Sequence, residues 1–239
     1  MSDLTQIRAD LAPTGTLRAA INLGNPVLTH GTPAEPGGVT IDIAREAAAR
    51  LRVPVEFTCV GAARLSFEAL THGQADIAFL AIEPARSAQV AFTAAYVLIE
   101  GVYVVAEDSP YADVGDVDHE GVRIGVKRGS AYDLYLTRTL QHAQLVRGDE
   151  GVDVYLADGL DAGAGVRQPA TAWVRAHPGH RVIPERFQEI RQAVATGADR
   201  SPAAIAWLRD LVEELKADGF VRTRLDAAGQ HEATVAPPG

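Results

Sequence analysis

The sequence predicts an α/β protein made of two Rossmann-like lobes joined by a two-strand hinge. Three observations lead there. Strand-like and helix-like stretches alternate along the chain. The alternation runs through two comparable βαβ sets. A long helical pattern then follows the second set and returns the chain toward the first.

The first set begins after Gly15, where residues 17–23 form an apolar run suited to a buried strand. Apolar residues at helical spacing fill 41–51, with Thr40 as the expected N-cap. Residues 53–60 read as a strand that buries the lone Cys59, 65–71 as a helix, and 76–82 as a second buried strand. Their short connections favour a parallel sheet. The second set follows the loop at 113–121: a strand at 122–126, then a helix at 130–142 whose Ser130-Ala131-Tyr132-Asp133 opening has a capping-box pattern. A strand at 144–147, a helix at 152–157 and a strand at 160–166 complete it. Each set contains a helix that stops at glycine before a strand that opens on aspartate, Gly73 with Asp76 and Gly159 with Asp161. Ser201 and Pro202 then start a helix with the stripe Ile205, Leu208, Leu211, Val212 and Leu215, ended by Gly219. The chain would cross between lobes near 93–103 and 183–195. Lobe 1 would be residues 1–98 plus 193–239 and lobe 2 residues 99–192, free to hinge.

Composition narrows the function. A net charge of −9 argues against nucleic acid and against an anionic membrane face. A single cysteine excludes an intrachain disulfide and a Cys-rich metal site. The polar N-terminus lacks the apolar core of an export signal, and the longest apolar stretch, 90–99, is too short for a membrane span. No direct membrane insertion is expected, and a cytoplasmic address stays open beside a periplasmic or extracellular one. There is no nucleophile elbow, P-loop or metal-ligand spacing, so no cofactor is expected. His177-Pro178-Gly179-His180 reads as a surface loop without acidic partners, not a metal site.

Three phrases carry a family resemblance. They are Gly38-Val39-Thr40-Ile41-Asp42-Ile43-Ala44, then Glu83-Pro84-Ala85-Arg86 with Val90-Ala91-Phe92-Thr93-Ala94-Ala95-Tyr96, then Val122-Arg123-Ile124-Gly125-Val126-Lys127-Arg128-Gly129-Ser130. In this order and spacing the chain resembles the amino-acid-type (family 3) solute-binding proteins of bacterial ABC importers, from Gly15 to the final helix. The resemblance implies the type 2 periplasmic-binding fold, a non-enzymatic binding role and a transporter permease as partner. It implies that Arg86 grips a ligand carboxylate through forked hydrogen bonds, a task that suits a planar guanidinium. Read from the residues alone, Arg86 could equally pair with Glu83 on a surface turn. Ser130 matches the second-lobe hydroxyl residue that completes the clamp, with Ala131 adding its backbone N–H at a helix start. Ser130 would also cap that helix.

The chain departs from the family in three places. Leu80, Ala81, Ile82 and Glu83 stand where the family places hydroxyl residues for the ligand amine. Val166, Arg167 and Gln168 stand where its amine-binding aspartate belongs, and a cation there would repel ammonium. Gly24 and Asn25 replace an aromatic ring. The expected ligand is a small organic acid or amino acid for which an α-amino group is not required. Asn25, Leu80, Glu83 and Arg86 would hold it from lobe 1, and Ser130, Ala131, Arg167 and Gln168 from lobe 2. Two alternatives share the fold. One is a cyclohexadienyl-dehydratase-like enzyme with Glu83 as general acid. The other is a stand-alone cytoplasmic ligand sensor; a DNA-reading regulator is not expected, since only about 15 residues precede the first strand.

Overall fold

A computed structural model describes residues 4–239; the first three positions of the polar N-terminus lie outside them. The described chain forms two compact units, one of residues up to Leu98 with Arg191–Gly239, the other of Ile99–Ile190.

The first unit opens with helix α1 (Leu4–Leu11), anchored by buried Ile7 and Leu11. Strand β1 (Leu17–Asn22) leads into a small hairpin, β2 (His30–Gly31) and β3 (Pro36–Gly37), and then into helix α2 (Val39–Leu51). The cap of α2 is not Thr40. Gly38 holds that position at φ +105, where an added Cβ would lie 2.4 Å from the carbonyl oxygen of Leu28. Thr40 instead lies inside the helix, buried, its hydroxyl 3.4 Å from that of Tyr96. Strand β4 (Val55–Val60), helix α3 (Ala63–Thr71), strand β5 (Ile77–Ala81) and the single turn α4 (Pro84–Ser87) follow. Strands β4 and β5 flank β1, both parallel to it, so β5 is buried throughout while β4 is outermost. Cys59 on β4 is therefore only half-buried, contrary to its expected burial.

The long strand β6 (Val90–Ala106) carries the chain into the second unit. There β7 (Arg123–Lys127), α5 (Ala131–Thr139), β8 (Gln144–Gly148), α6 (Gly151–Ala157) and β9 (Ala162–Val166) repeat the βαβαβ pattern. Strands β8 and β9 lie parallel to β7 on its two sides, and β9 pairs antiparallel with β6 from Gly101 to Val104. Helix α6 sits close on this sheet. A Cβ on Gly151 would lie 2.2 Å from the oxygen of Ala164, and one on Gly125 would lie 2.4 Å from the oxygen of Gly151. Helix α7 (Arg167–Ala176) starts at once after β9, a helix the sequence pattern did not mark. Strand β10 (His180–Val182) pairs with β6.

Strand β11 (Gln188–Gly197) returns to the first unit and pairs antiparallel with β5. Helix α8 (Pro202–Ala217) starts as expected, with the Ser201 hydroxyl accepting from the Ala204 N–H at 3.2 Å. Helix α9 (Phe220–Ala227) and strand β12 (Thr234–Val235) close the chain, the latter on β6. Among the described residues no helix is long and apolar enough to cross a membrane.

Candidate functional site

In open α/β sheets ligands gather at the carboxyl ends of parallel strands, where the loops are free to carry chemistry. Each unit has such an edge. In the first, Asn25 follows β1, and Glu83 and Arg86 follow β5. In the second, Ser130 follows β7, and Arg167 and Gln168 follow β9.

The β5 edge is the more deeply built. Glu83 is the extended N-cap of α4, and its carbonyl accepts the N–H groups of Arg86 at 2.9 Å and Ser87 at 3.1 Å. Pro84 at the first helical position loses nothing by lacking an N–H. This one turn folds Arg86 back toward the strand, where its Nη1 donates to the carbonyl oxygen of Ala81 at 3.2 Å. Both Glu83 and Arg86 are 3% exposed. Neither lies on the surface turn that the residues alone allowed. Burial lowers the pKa of Arg86 to about 10, with the charge of Glu83 acting in the opposite direction, so the guanidinium is cationic at neutral pH.

The other two residues expected in this half differ. Leu80 is 1% exposed and belongs to the apolar core with Ala20, Leu70 and Val90, so its side chain is spent on packing. Asn25 is half-buried and shapes its own loop. Its Oδ1 accepts from the Val27 N–H at 3.2 Å, and its carbonyl accepts from Leu28 and Thr29. Thr93 and Tyr96, from the second phrase, hold the fold. The Thr93 hydroxyl accepts from the Val194 N–H at 3.1 Å, and Tyr96 is fully buried edge-on to Phe79.

In the second unit, Ser130 caps α5 by accepting from the Asp133 N–H at 3.0 Å. The return bond of the expected capping box shifts by one residue, since the Asp133 carboxylate accepts from the N–H of Gly129 at 2.8 Å. Gly129 takes φ +68, which lets the loop turn into the helix. Ala131 opens the first turn, where N–H groups have no acceptor within the helix. Two cations nearby have acidic partners, Lys127 with Glu150 and Arg147 with Asp133 at 2.9 Å, while Arg128 donates to the backbone carbonyl of Arg147 at 3.3 Å.

Arg167 is likewise engaged. Its Nε donates to Glu100 and its Nη2 to the carbonyl of Pro184 at 2.8 Å. Glu100 also takes Arg186 at 3.1 Å, and Arg186 reaches Glu189 at 3.2 Å. Burial works to raise the Glu100 carboxyl, but the two arginines hold it below the usual range. Sequence reading missed Glu100 and Arg186 as partners, although Glu100 is the one charge in the apolar run of β6. Next to Arg167, Gln168 keeps its Oε1 buried without a hydrogen-bond donor among the described residues. Such an acceptor is costly unless something else satisfies it. His177 and His180 turn their Nδ1 atoms to the carbonyls of Trp173 and His177, with His177 stacked on Trp173 at 3.9 Å.

Residues 17–226 match the family model described as bacterial extracellular solute-binding proteins, family 3. Among solved structures, the chain is similar to an amino acid ABC transporter substrate-binding protein from Streptococcus pneumoniae bound to L-arginine. The identity is 18%, the TM-score 0.76, and the match covers 97% of this chain and 100% of that one. It is similar to the cysteine-binding protein of Campylobacter jejuni at 20% identity and TM-score 0.75, covering 94% and 92%. It is also similar to an ancestral amino-acid-binding protein described as a precursor of cyclohexadienyl dehydratase, at 19% and 0.74, covering 93% and 98%. These likenesses establish the type 2 periplasmic-binding fold. No curated protein matches the sequence.

Proposed function

The chain belongs to the bacterial extracellular solute-binding proteins of family 3, and from that premise we propose that it binds a small carboxylate-bearing solute as the substrate-binding component of an ABC-type uptake system. One observation supports this most: a cationic guanidinium, almost wholly buried, stands at the carboxyl end of a central parallel strand. A guanidinium held in place by its surroundings is suited to a forked pair of hydrogen bonds with a carboxylate.

Arg86 would take the carboxylate. Ser130 and the N–H of Ala131 would take its other side, and Gln168 would accept an N–H or O–H of the solute. A solute that engages Arg86 and Ser130 together stabilises the arrangement in which it reaches both, which is how binding drives closure. Asn25 and Leu80 would shape the wall through backbone and packing, and Arg167 would hold its surroundings through Glu100. Because similar proteins bind L-arginine or cysteine, amino acids and their deaminated counterparts are the first solutes to screen by calorimetry. Arg86→Ala should weaken the binding found by about 2–5 kcal/mol. An unchanged affinity would remove the carboxylate anchor from the reading.

One observation favours a dehydratase-like second reading: Glu83 is buried and not solvated, a setting that favours the protonated form a general acid needs. Conversion of prephenate to phenylpyruvate would establish it. Tight binding of acids that are recovered unchanged would leave the binding reading in place.

A further inference from the structure

Strand register sets one charge against another at the carboxyl end of β9. Gly101 on β6 pairs with Val166, the last residue of β9, so the antiparallel ladder brings Glu100 across from Arg167. The Phe187 N–H donates to the Gly101 carbonyl at 3.0 Å, which draws Arg186 alongside the same carboxylate. Glu100 gives Oε2 to Arg167 and Oε1 to Arg186, and Arg186 also reaches Glu189. Two cations and two anions therefore balance in this network. Two of the three nitrogens of Arg167 are already donating, Nε to Glu100 and Nη2 to the Pro184 carbonyl. Burial alone would raise the Glu100 carboxyl, but the two arginines hold it below the usual range, so it is an anion at neutral pH.

Without Glu100, Arg167 would be a free fork for an acid. With Glu100 in place, an acidic group arriving there meets a neutralised pair and a like charge close behind it. It also meets the Gln168 Oε1, a buried acceptor with no donor among the described residues. A neutral amide or hydroxyl would supply that donor.

We infer that Glu100 is a positioning residue that masks Arg167, so that the second unit selects a solute with a neutral hydrogen-bonding end over one with a second carboxylate. This rests on the reading of Arg86 as anchor of the first carboxylate, which leaves the other end of the solute for the second unit to read. Arg128, just past β7, does not undo the mask. It is exposed and donates to the Arg147 carbonyl at 3.3 Å, where water weakens its pull on an anion.

The test titrates isosteric pairs by calorimetry on the full chain, succinamate against succinate and L-glutamine against L-glutamate, with butyrate as the plain acid. In a pair that binds, the amide member should bind the unaltered protein about tenfold tighter or more. Glu100→Gln should tighten the dicarboxylate about tenfold and leave the amide within about threefold, since only the dicarboxylate meets the freed guanidinium. Adding Arg167→Gln to that variant should abolish the gain, as a residue acting through Arg167 requires. A dicarboxylate that binds the unaltered protein as tightly as its amide overturns the inference while leaving Arg86 as anchor. A Glu100→Gln variant that shifts both members alike overturns it too, because a merely structural ion pair would do the same. Butyrate binding without either amide also overturns it. Failure of butyrate and of every pair removes the Arg86 reading and this one with it. The comparison on the unaltered protein needs no variant, so it decides even if Glu100→Gln does not fold.

Discussion

The two units close their sheets with the same device, given very different weight. In the first, the Arg18 N–H donates to Asp76 at 3.0 Å, Asp76 returns its own N–H to the Arg18 carbonyl at 2.8 Å, and the Arg18 side chain reaches the carbonyl of Gly73. In the second, Arg123, Asp161 and Gly159 repeat all three bonds, at 2.8, 3.0 and 2.9 Å. Each glycine takes a positive φ, +69 and +55. The difference is burial. Asp76 is 0% exposed and also receives the guanidinium groups of Arg18 at 2.7 Å and Arg200 at 3.0 Å, whereas the half-buried Asp161 carboxylate, among the described residues, accepts from the Arg123 backbone N–H. The shared part is turn chemistry, which needs only local sequence. The added part is a buried ion cluster, which needs the rest of the unit.

The largest expected effect tests the added part. Asp76→Asn removes a buried charge from between two arginines and should destabilise the protein by about 3–5 kcal/mol, read as a lower urea midpoint at unchanged slope. A loss under about 1 kcal/mol would mean that the cluster balances its own desolvation, and the units would then be equivalent in this respect.

The shared part should behave alike in both units. An added Cβ on Gly73 or Gly159 would meet no atom within 4 Å, so alanine there incurs only the strain of positive φ. Gly73→Ala and Gly159→Ala should each lower stability by about 1–2 kcal/mol, and by the same amount within error. A large difference would show that the turns are not independent of what surrounds them.

A pair of helix caps sharpens the contrast between scaffold and site. The Ser130 and Ser201 hydroxyls each accept one N–H, at 3.0 and 3.2 Å. Either serine replaced by alanine should lose about 1 kcal/mol of stability in thermal unfolding. Only Ser130→Ala should also weaken the solute, because only that cap lies at a strand edge proposed to bind it. Equal affinities in the two variants would return Ser130 to a purely structural role.

These features differ in how far the sequence discloses them. The alternation of strands and helices, the Ser201-Pro202 start and the glycine stops depend on neighbours within a few residues, and they were legible. Helix α1 was not, because only Ile7 and Leu11 mark its buried side. Helix α7 was not marked either: Arg167 and Gln168, just past the expected strand, were read only as site candidates, although Pro169 fits the first turn of a helix. At the site, Arg86, Ser130 and the Arg167–Gln168 step could be marked as positions, but their partners could not. Arg200 reaches Asp76 across 124 residues, and Arg167 reaches Glu100 across 67. No local pattern predicts such pairings, and none shows that Glu83 would be buried beside Arg86 and not solvated.

The smallest expected effect decides whether burial is the right explanation for the contrast. Asp161→Asn keeps an oxygen in place for the Arg123 N–H and removes a charge that no guanidinium pairs with among the described ion pairs. The neighbouring Arg123 side chain binds the Gly159 carbonyl and does not need the carboxylate. The substitution should therefore change stability by about 0.5 kcal/mol or less, and added salt should not alter that. The same exchange at Asp76 puts a neutral amide at a fully buried position facing two partly exposed guanidinium groups, Arg18 and Arg200, which is why one chemical change should give two different outcomes. If Asp161→Asn lowered the urea midpoint as far as Asp76→Asn, the carboxylate charge would matter equally at a half-buried and a buried turn. The weight of the device would then lie in its backbone bonds, and not in the ion cluster of the first unit.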